Sequence, residues 1–371
     1  MSELHSIGWY SSQITPRLPK QVFKPVPQRL WGGLVYMLLT IAGIWAIAAH
    51  QFSPWVNLAI ALGLGQTMAG LGFLGHEVLH GTVVKTAWLR DLIGCICFAQ
   101  FNLGAKLWRK WHNMEHHAHT QDEDTDPDAW ATMEKLYKRP LLRWIYKLPP
   151  GFRAFFNFAS FSLFFSIHSS LMFKRYIGEF KPRDRAMVWM QLLVPWAIWL
   201  SLLALIGPGK WLFAYVIPVM IANALVIGYI STNHQLNPLT PVNDPLANSL
   251  SVTVPRWVDM LHFNFSYHTE HHLYPGVNAK YGPMIKAVVK EMWPEQYFEL
   301  PLLQALKALW KTPRIYHNYT DLVDPGNGHV FGSLGHGLDA EQFAYRQIDV
   351  PKQGPAPMGL GTLEQSPAQG D

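Results

Sequence analysis

Residues 54–80 read PWVNLAIALGLGQTMAGLGFLGHEVLH, and the reading of this stretch decides the fold. Residues 54–74 carry no charge, and about 20 apolar residues suffice for a helix to cross a hydrocarbon core of about 30 Å. The run then delivers His76-Glu77-Val78-Leu79-His80 at its end. A membrane span that finishes in two histidines at i and i+4 points to a chemical site at one face of a bilayer.

Three further apolar stretches meet the same length standard: residues 31–49, 188–206 and 211–230. They pair into two hairpins, closed by the loops 50–53 and 207–210. Two shorter or interrupted stretches do not qualify. Residues 152–173 contain Arg153, Asn157, several serines and His168, which suits a helix lying in the interface. Residues 89–103 are expected at the interface or re-entrant. Basic residues accumulate on the cytoplasmic side. With both hairpin loops outside, Lys210 alone of the chain's 30 Lys and Arg lies outside. A fifth span through residues 152–173 would put His76 and His272 on opposite faces.

Composition agrees with a chain that is only partly membrane. Charged residues are 15% of the 371, against roughly 25% in ordinary soluble proteins. A mean hydropathy of only +0.05 nevertheless requires a large aqueous part. The net charge of +5 and 16 tryptophans suit a membrane surface. Cys95 and Cys97 are too few and too close for a disulfide framework. The expected organisation is an all-α integral membrane protein: four transmembrane helices in two hairpins, interfacial helices, and a helical cytosolic cap. Its expected parts are a cytosolic N-terminal segment 1–29 without a cleaved signal peptide, a membrane domain 30–320, and a disordered tail 321–371.

Three histidine clusters carry the chemistry: His76 and His80; His112, His116 and His117; His268, His271 and His272. Each holds an i, i+4 pair, His76/His80, His112/His116 and His268/His272, which on a helix can face a common metal. His117 is rotated roughly 140° from His112 on a regular helix, which hints at two metals. His234, at the inner end of the fourth span, is a ninth candidate. His119 is read as a neighbour, His262 is left open, and His5, His50, His168, His317, His329 and His336 are read as ordinary interface or surface residues. Imidazole suits Fe, Zn, Cu or Ni, and softness alone does not choose. The first cluster also fits the HExxH signature of a membrane zinc metalloprotease, with Glu77 as general base. That reading uses two of nine histidines and leaves the other clusters idle. A non-catalytic metal-binding or transport protein would place ligands inside the spans, whereas these lie at and beyond their inner ends.

The order HxxxH, HxxxHH, HxxHH on a four-span chain resembles the membrane fatty acid desaturase superfamily. The likeness runs from about His76 to Pro275 and includes Trp111-His112, His116-His117-Ala118-His119-Thr120, the acidic Asp124-Thr125-Asp126-Pro127-Asp128, and residues 267–275, YHTEHHLYP. The resemblance implies a diiron centre on the cytosolic face, with His76, His80, His112, His116, His117, His268, His271 and His272 as ligands and His234 as the extra one. Some members carry a ligating Asn one turn before that histidine. Here Ile230 stands there, which leaves one iron to be completed by water, and Asn264 is an alternative outer contact. Glu77, Glu115 and Glu270 lie inside the clusters and are expected to orient histidines through the other ring nitrogen.

The same resemblance implies oxygen-dependent desaturation of an acyl chain, using two Fe ions and O2. The family's fused cytochrome b5 signature, His-Pro-Gly-Gly, is absent, so electrons would come from a separate protein of ferredoxin, rubredoxin or cytochrome b5 type. The substrate would be an acyl lipid, or a CoA- or carrier-linked chain, in the bacterial inner membrane or endoplasmic reticulum, and no nucleic acid is expected. A lipid or alkyl hydroxylase or a carotenoid ketolase with similar clusters remains an alternative. Lys106, Arg109 and Lys110 beside the second cluster would attract anionic headgroups, a carrier phosphate or an acidic donor, or simply reflect positive-inside bias.

Overall fold

The computed structural model describes residues 3–349 other than 130, 149, 314 and 340. The expected tail residues 350–371 lie outside the described residues. Helices dominate. Among the described residues, three helical segments are long and apolar enough to cross a membrane: Arg29–Ala49, Pro54–Leu79 and Pro182–His234.

The third is 53 residues long, and at 1.5 Å per residue a straight helix of that size would overshoot any bilayer. It is not straight. Gly207 adopts φ 78° and ψ 164° inside it, a conformation that favours glycine, and Pro208 follows. Trp211 Nε1 then donates to the Trp199 carbonyl at 3.0 Å, so the chain doubles back on itself. A π-helical stretch, Leu212–Val216, leads into the return helix, Ile217–His234. Lys210 Nζ donates to the Ala48 carbonyl at 2.7 Å, which brings the two hairpin turns together. His76 and His234 end the opposite tips.

The helix Pro150–Tyr176 is a single 27-residue element that packs along Ile217–His234. Asn223 Oδ1, well inside that return helix, accepts from the Ser166 backbone N–H at 3.1 Å. Leu163, Ile167 and Leu171 form an exposed apolar stripe on its outer side. The element therefore contacts the apolar bundle itself, a closer association than an interfacial position required. The helix Ala87–Phe98 and its short 3-10 extension Ala99–Phe101 tuck under the first hairpin. Buried Gln100 satisfies the backbone there by donating to the Met68 carbonyl at 3.0 Å, as irregular backbone among apolar helices demands.

The cap is less simply helical than expected. Residues 251–253 (β1) pair in parallel with residues 299–301 (β2). Residues 321–323 (β3), 329–332 (β4) and 346–347 (β5) form an antiparallel sheet. The expected disorder from residue 321 is thus corrected for residues 321–349: Leu322, Val323 and Val330 are buried, and that apolar surface holds the segment to the body. The N-terminal segment is also part of the cap. Tyr10, Ile14 and Val22 are fully buried against Leu273, Ile285 and Val289.

Candidate metal centre

Four short pieces of chain bring the nine histidines together. His76 lies in the last turn of Pro54–Leu79, with His80 just past it. His268, His271 and His272 sit on the short helix His268–Leu273, and His234 closes Ile217–His234. The second cluster lies on a π-helix, Arg109–His116, running into His117–His119. A π-helix bonds i to i+5 rather than i to i+4. That change of period puts His112 and His117 on one side and His116 on another.

The result is two adjoining groups. His76, His80, His112, His117 and His271 place one ring nitrogen each within 4.8 Å of all the others. His116, His234 and His272 do the same, and His268 Nε2 joins them, 2.7 Å from His234 Nε2 and 3.1 Å from His272 Nε2. The expected i, i+4 pairs hold for His76/His80 and His268/His272. His112 and His116 fall in different ones of these two groups, although with Asp128 they also place one ligand atom each within 4.8 Å of one another, and His271 crosses to the group opposite its two neighbours.

Within the five-histidine group, His112 Nε2 lies 3.1 Å from the Nε2 atoms of both His76 and His117, and His117 Nε2 lies 3.0 Å from that of His271. Two donors at a right angle, each about 2.0–2.1 Å from a metal, stand about 2.9–3.0 Å apart. A neutral imidazole has only one N–H to give, so such a ring cannot satisfy itself. His80 Nε2 is buried with no hydrogen-bond partner. The residues present fit a metal in each group.

Electrostatics favour the ligating form. Burial, helped by neighbouring imidazoles, holds His80, His112, His117, His268 and His272 well below the usual histidine range. Burial beside His116 likewise pulls His271 down to about 3. His116 goes the other way: burial opposes its charge, but Asp126 more than offsets that and raises it.

The outer ring nitrogens of three members of the four-histidine group are tied. His116 Nδ1 meets Asp126 Oδ1 at 3.0 Å. The Thr120 hydroxyl donates to the His116 carbonyl at 2.8 Å and lies 3.2 Å from His272 Nδ1. His234 Nδ1 donates to the Asn248 carbonyl at 3.1 Å. Each contact fixes the tautomer that leaves Nε2 free for a metal. In the five-histidine group the Nδ1 atoms of His76 and His117 are buried without partners.

The carboxylates expected inside the clusters do something else. Glu77 Oε2 accepts from the Thr82 hydroxyl and the Ala279 N–H, both at 3.3 Å. Glu115 pairs with Lys110 at 2.5 Å. Glu270 accepts from Ser251 at 2.6 Å and Tyr297 at 2.5 Å. Asn264 accepts from Arg29 at 2.7 Å. Among the described residues none of the four hydrogen-bonds a site histidine, so this expectation is corrected. An i+1 or i−1 carboxylate on a helix faces away from its histidine neighbour.

The carboxylates that do reach the centre come from the acidic segment. Asp126 holds His116. Asp128, 3.6 Å from His116 Nδ1, accepts from Trp111 Nε1 at 2.9 Å and pairs with His168 Nε2 at 2.7 Å. His168, read as an ordinary residue, thus belongs to the outer surroundings of the centre. Nothing local in the sequence marks it for that role. His119 is exposed, and His262 bonds Tyr229 and Gln66 instead. Lys106, Arg109 and Lys110 each carry carboxylate partners, Asp184, Asp91, and Glu115 with Glu179, which removes much of their pull on an anion.

Beneath the centre lies a narrow cavity of about 40 Å³. Its roof includes His76, His112, His116, His234 and His268, and its walls are Gly72, Phe101, Phe165, Val226, Ile230 and Phe265. Ile230 presents only hydrocarbon to the slot. The site is an apolar slot ending at clustered imidazoles.

Fold and site together define a helical protein with membrane-length apolar helices and a buried histidine metal centre. The chain belongs to the fatty acid desaturase family, whose sequence model matches residues 52–301, and it is a membrane fatty acid desaturase. It is 26% identical over 339 residues to an sn-1 oleoyl-lipid 12-desaturase of Synechocystis sp., covering 86% of this chain and 91% of that one. It is 22% identical to the chloroplastic omega-6 fatty acid desaturase of Spinacia oleracea, over 92% of this chain and 74% of that one. It is 29% identical to an sn-1 acyl-lipid omega-3 desaturase (ferredoxin) of Synechocystis sp., over 35% and 36% of the two chains.

Proposed function

We propose that the two histidine groups hold two iron ions and that the protein uses O2 to introduce a double bond into an acyl chain carried by a membrane lipid. The observation that carries this is the division of nine imidazoles, eight of them buried, into groups of five and four above an apolar slot. Iron with dioxygen supplies the oxidising power that unactivated methylenes need and that side chains lack. The protein's part is placement. His76, His80, His112, His117 and His271 would hold one ion, and His116, His234, His268 and His272 the other. Asp126, Thr120 and the Asn248 carbonyl keep three of the latter in the ligating tautomer. The walls Phe101, Phe165, Val226 and Ile230 exclude water and align the chain.

Two relatives are named as acting on oleoyl lipid or as omega-6 desaturases, which supports a mono-unsaturated lipid-bound chain as substrate. The ferredoxin in the name of a third supports a small separate electron donor. The four-span reading, with the centre on the cytosolic face of the bacterial inner membrane or endoplasmic reticulum, is supported by two observations. The hairpin turns meet at Lys210 and Ala48, opposite the histidines, and among the described residues of the two turns, 50–53 and 207–210, Lys210 is the one Lys or Arg.

The test is lipid profiling by mass spectrometry in a host supplied with oleate, with His272→Ala as control. New chains lighter by two hydrogens, absent from the control, are expected. Chains heavier by one oxygen would replace desaturation with hydroxylation. No product from a protein shown to hold two irons, supplied with a ferredoxin system, would overturn the reading.

A further inference from the structure

The slot beneath the metal centre is not the only space within the helices. A second cavity of about 250 Å³ lies between helix Pro150–Tyr176 and the second hairpin, walled by Leu163, Trp196, Val219 and Met220 among others. Among the described residues, Phe101 is the one that lines both spaces.

Its ring is held on two sides. It meets the Phe165 ring edge-on at 5.1 Å. It also lies against bare backbone at Gly72, where an added Cβ would stand 2.9 Å from Phe101 Cε2. The backbone beneath the ring is fastened to the second hairpin. Trp199 Nε1 donates to the Ala99 carbonyl at 2.9 Å, and the Tyr215 hydroxyl donates to the Gln100 carbonyl at 3.1 Å. Asn102, in the left-handed region at φ 53°, donates to that same hydroxyl at 2.8 Å. With the backbone pinned, the ring borders both cavities.

We infer that Phe101 is a specificity-determining residue: it stops the acyl chain beyond the metal centre and thereby sets which carbons lie under the histidines. This rests on the desaturase reading above. A chain threaded into the slot comes to rest where its leading end meets a wall. Moving that wall moves every carbon relative to the reacting atoms, and about 1 Å of misplacement is worth about 10²-fold in rate. Removal of the ring would join the slot to the cavity behind it. The methyl end would then run deeper, and carbons nearer the carboxyl end would lie under the metals.

The experiment uses the full chain in a host supplied with acyl chains of graded length, with double-bond positions read by mass spectrometry of derivatised lipids. Phe101→Ala is expected to displace the double bond by one or more carbons away from the methyl end and to extend use to longer chains. Phe101→Leu should give part of that shift and decides the matter if the alanine variant fails to accumulate. Val219→Phe, added to Phe101→Ala to refill the second cavity, should restore the original position, which a merely structural role for Phe101 would not do. An unchanged position and length preference in active Phe101→Ala and Phe101→Leu proteins overturns the inference. No unsaturated product from the unaltered chain would instead count against the function on which it rests.

Discussion

His112, His116 and His117 show how one residue's position changes a site. On a regular helix His112 and His116 would share a face. The π-turn instead gives His112 to the group with His117 and leaves His116 to the other. Replacing His271 or His268 by alanine should therefore remove different ions. Each variant is expected to fall from about two irons per chain to about one by metal analysis of purified protein, whereas a shared single site would drop to none. Asp126→Asn weakens the carboxylate behind His116, and losses of outer partners typically cost about 10–100-fold in metal affinity. Chelator titration should show one of the two irons leaving first. The pH dependence follows from the same residues. In the metal-free chain burial drives most of these imidazoles below their ordinary value of about 6.5. Below that pH the unfolded chain binds protons that the folded chain refuses, so stability is retained above about pH 6.5 and falls as pH drops below it. Melting of chelator-treated protein at pH 5 should come at a lower temperature than at pH 7.5.

At the scale of elements, the π-helix and the long helix Pro150–Tyr176 carry most of what sequence periodicity could not supply. Inserting an alanine after exposed Met114 would turn His116 and His117 about 100° around the helix relative to His112 and carry both out of their groups. The expected outcome is loss of both irons in a chain that still inserts and folds, checked by metal content beside circular dichroism. The apolar spans and the terminal histidine pairs were legible because composition and an i, i+4 spacing act locally. Asp126, Asp128, Thr120 and His168 were not, because each reaches the centre from a loop or another helix. The acidic segment was visible as a pattern, but nothing local says which of its carboxylates turns inward. The opposite error arose at Glu77, Glu115 and Glu270, where proximity in sequence was taken as proximity in space.

The whole molecule is tied together behind its metal centre. Tyr316, fully buried, donates to the Asn237 carbonyl at 2.7 Å and accepts from Gln121 Nε2 at 2.9 Å, and Gln121 also bonds the His234 carbonyl at 2.9 Å. The segment leading into the C-terminal sheet, bridged to it between Tyr316 and Leu322, therefore braces the loop that carries Asp126 and the helix that carries His234. A chain ending at residue 312 should lose iron and melt several degrees lower. Tyr316→Phe should show a smaller loss, of the order of 1 kcal/mol for a buried hydrogen bond. Retention of two irons and unchanged melting in the shortened chain would show the sheet to be dispensable.

Sequence by itself determined that this is a chain of apolar hairpins ending in histidines, because hydropathy and helical spacing are properties of adjacent residues. It also determined the family, because the clusters recur in fixed order. Tertiary structure decided how nine imidazoles divide into five and four, which carboxylates stand behind them, and that Phe101 closes the slot below. Those are contacts between segments far apart in the chain, fixed by packing and by the need to pair every buried polar group.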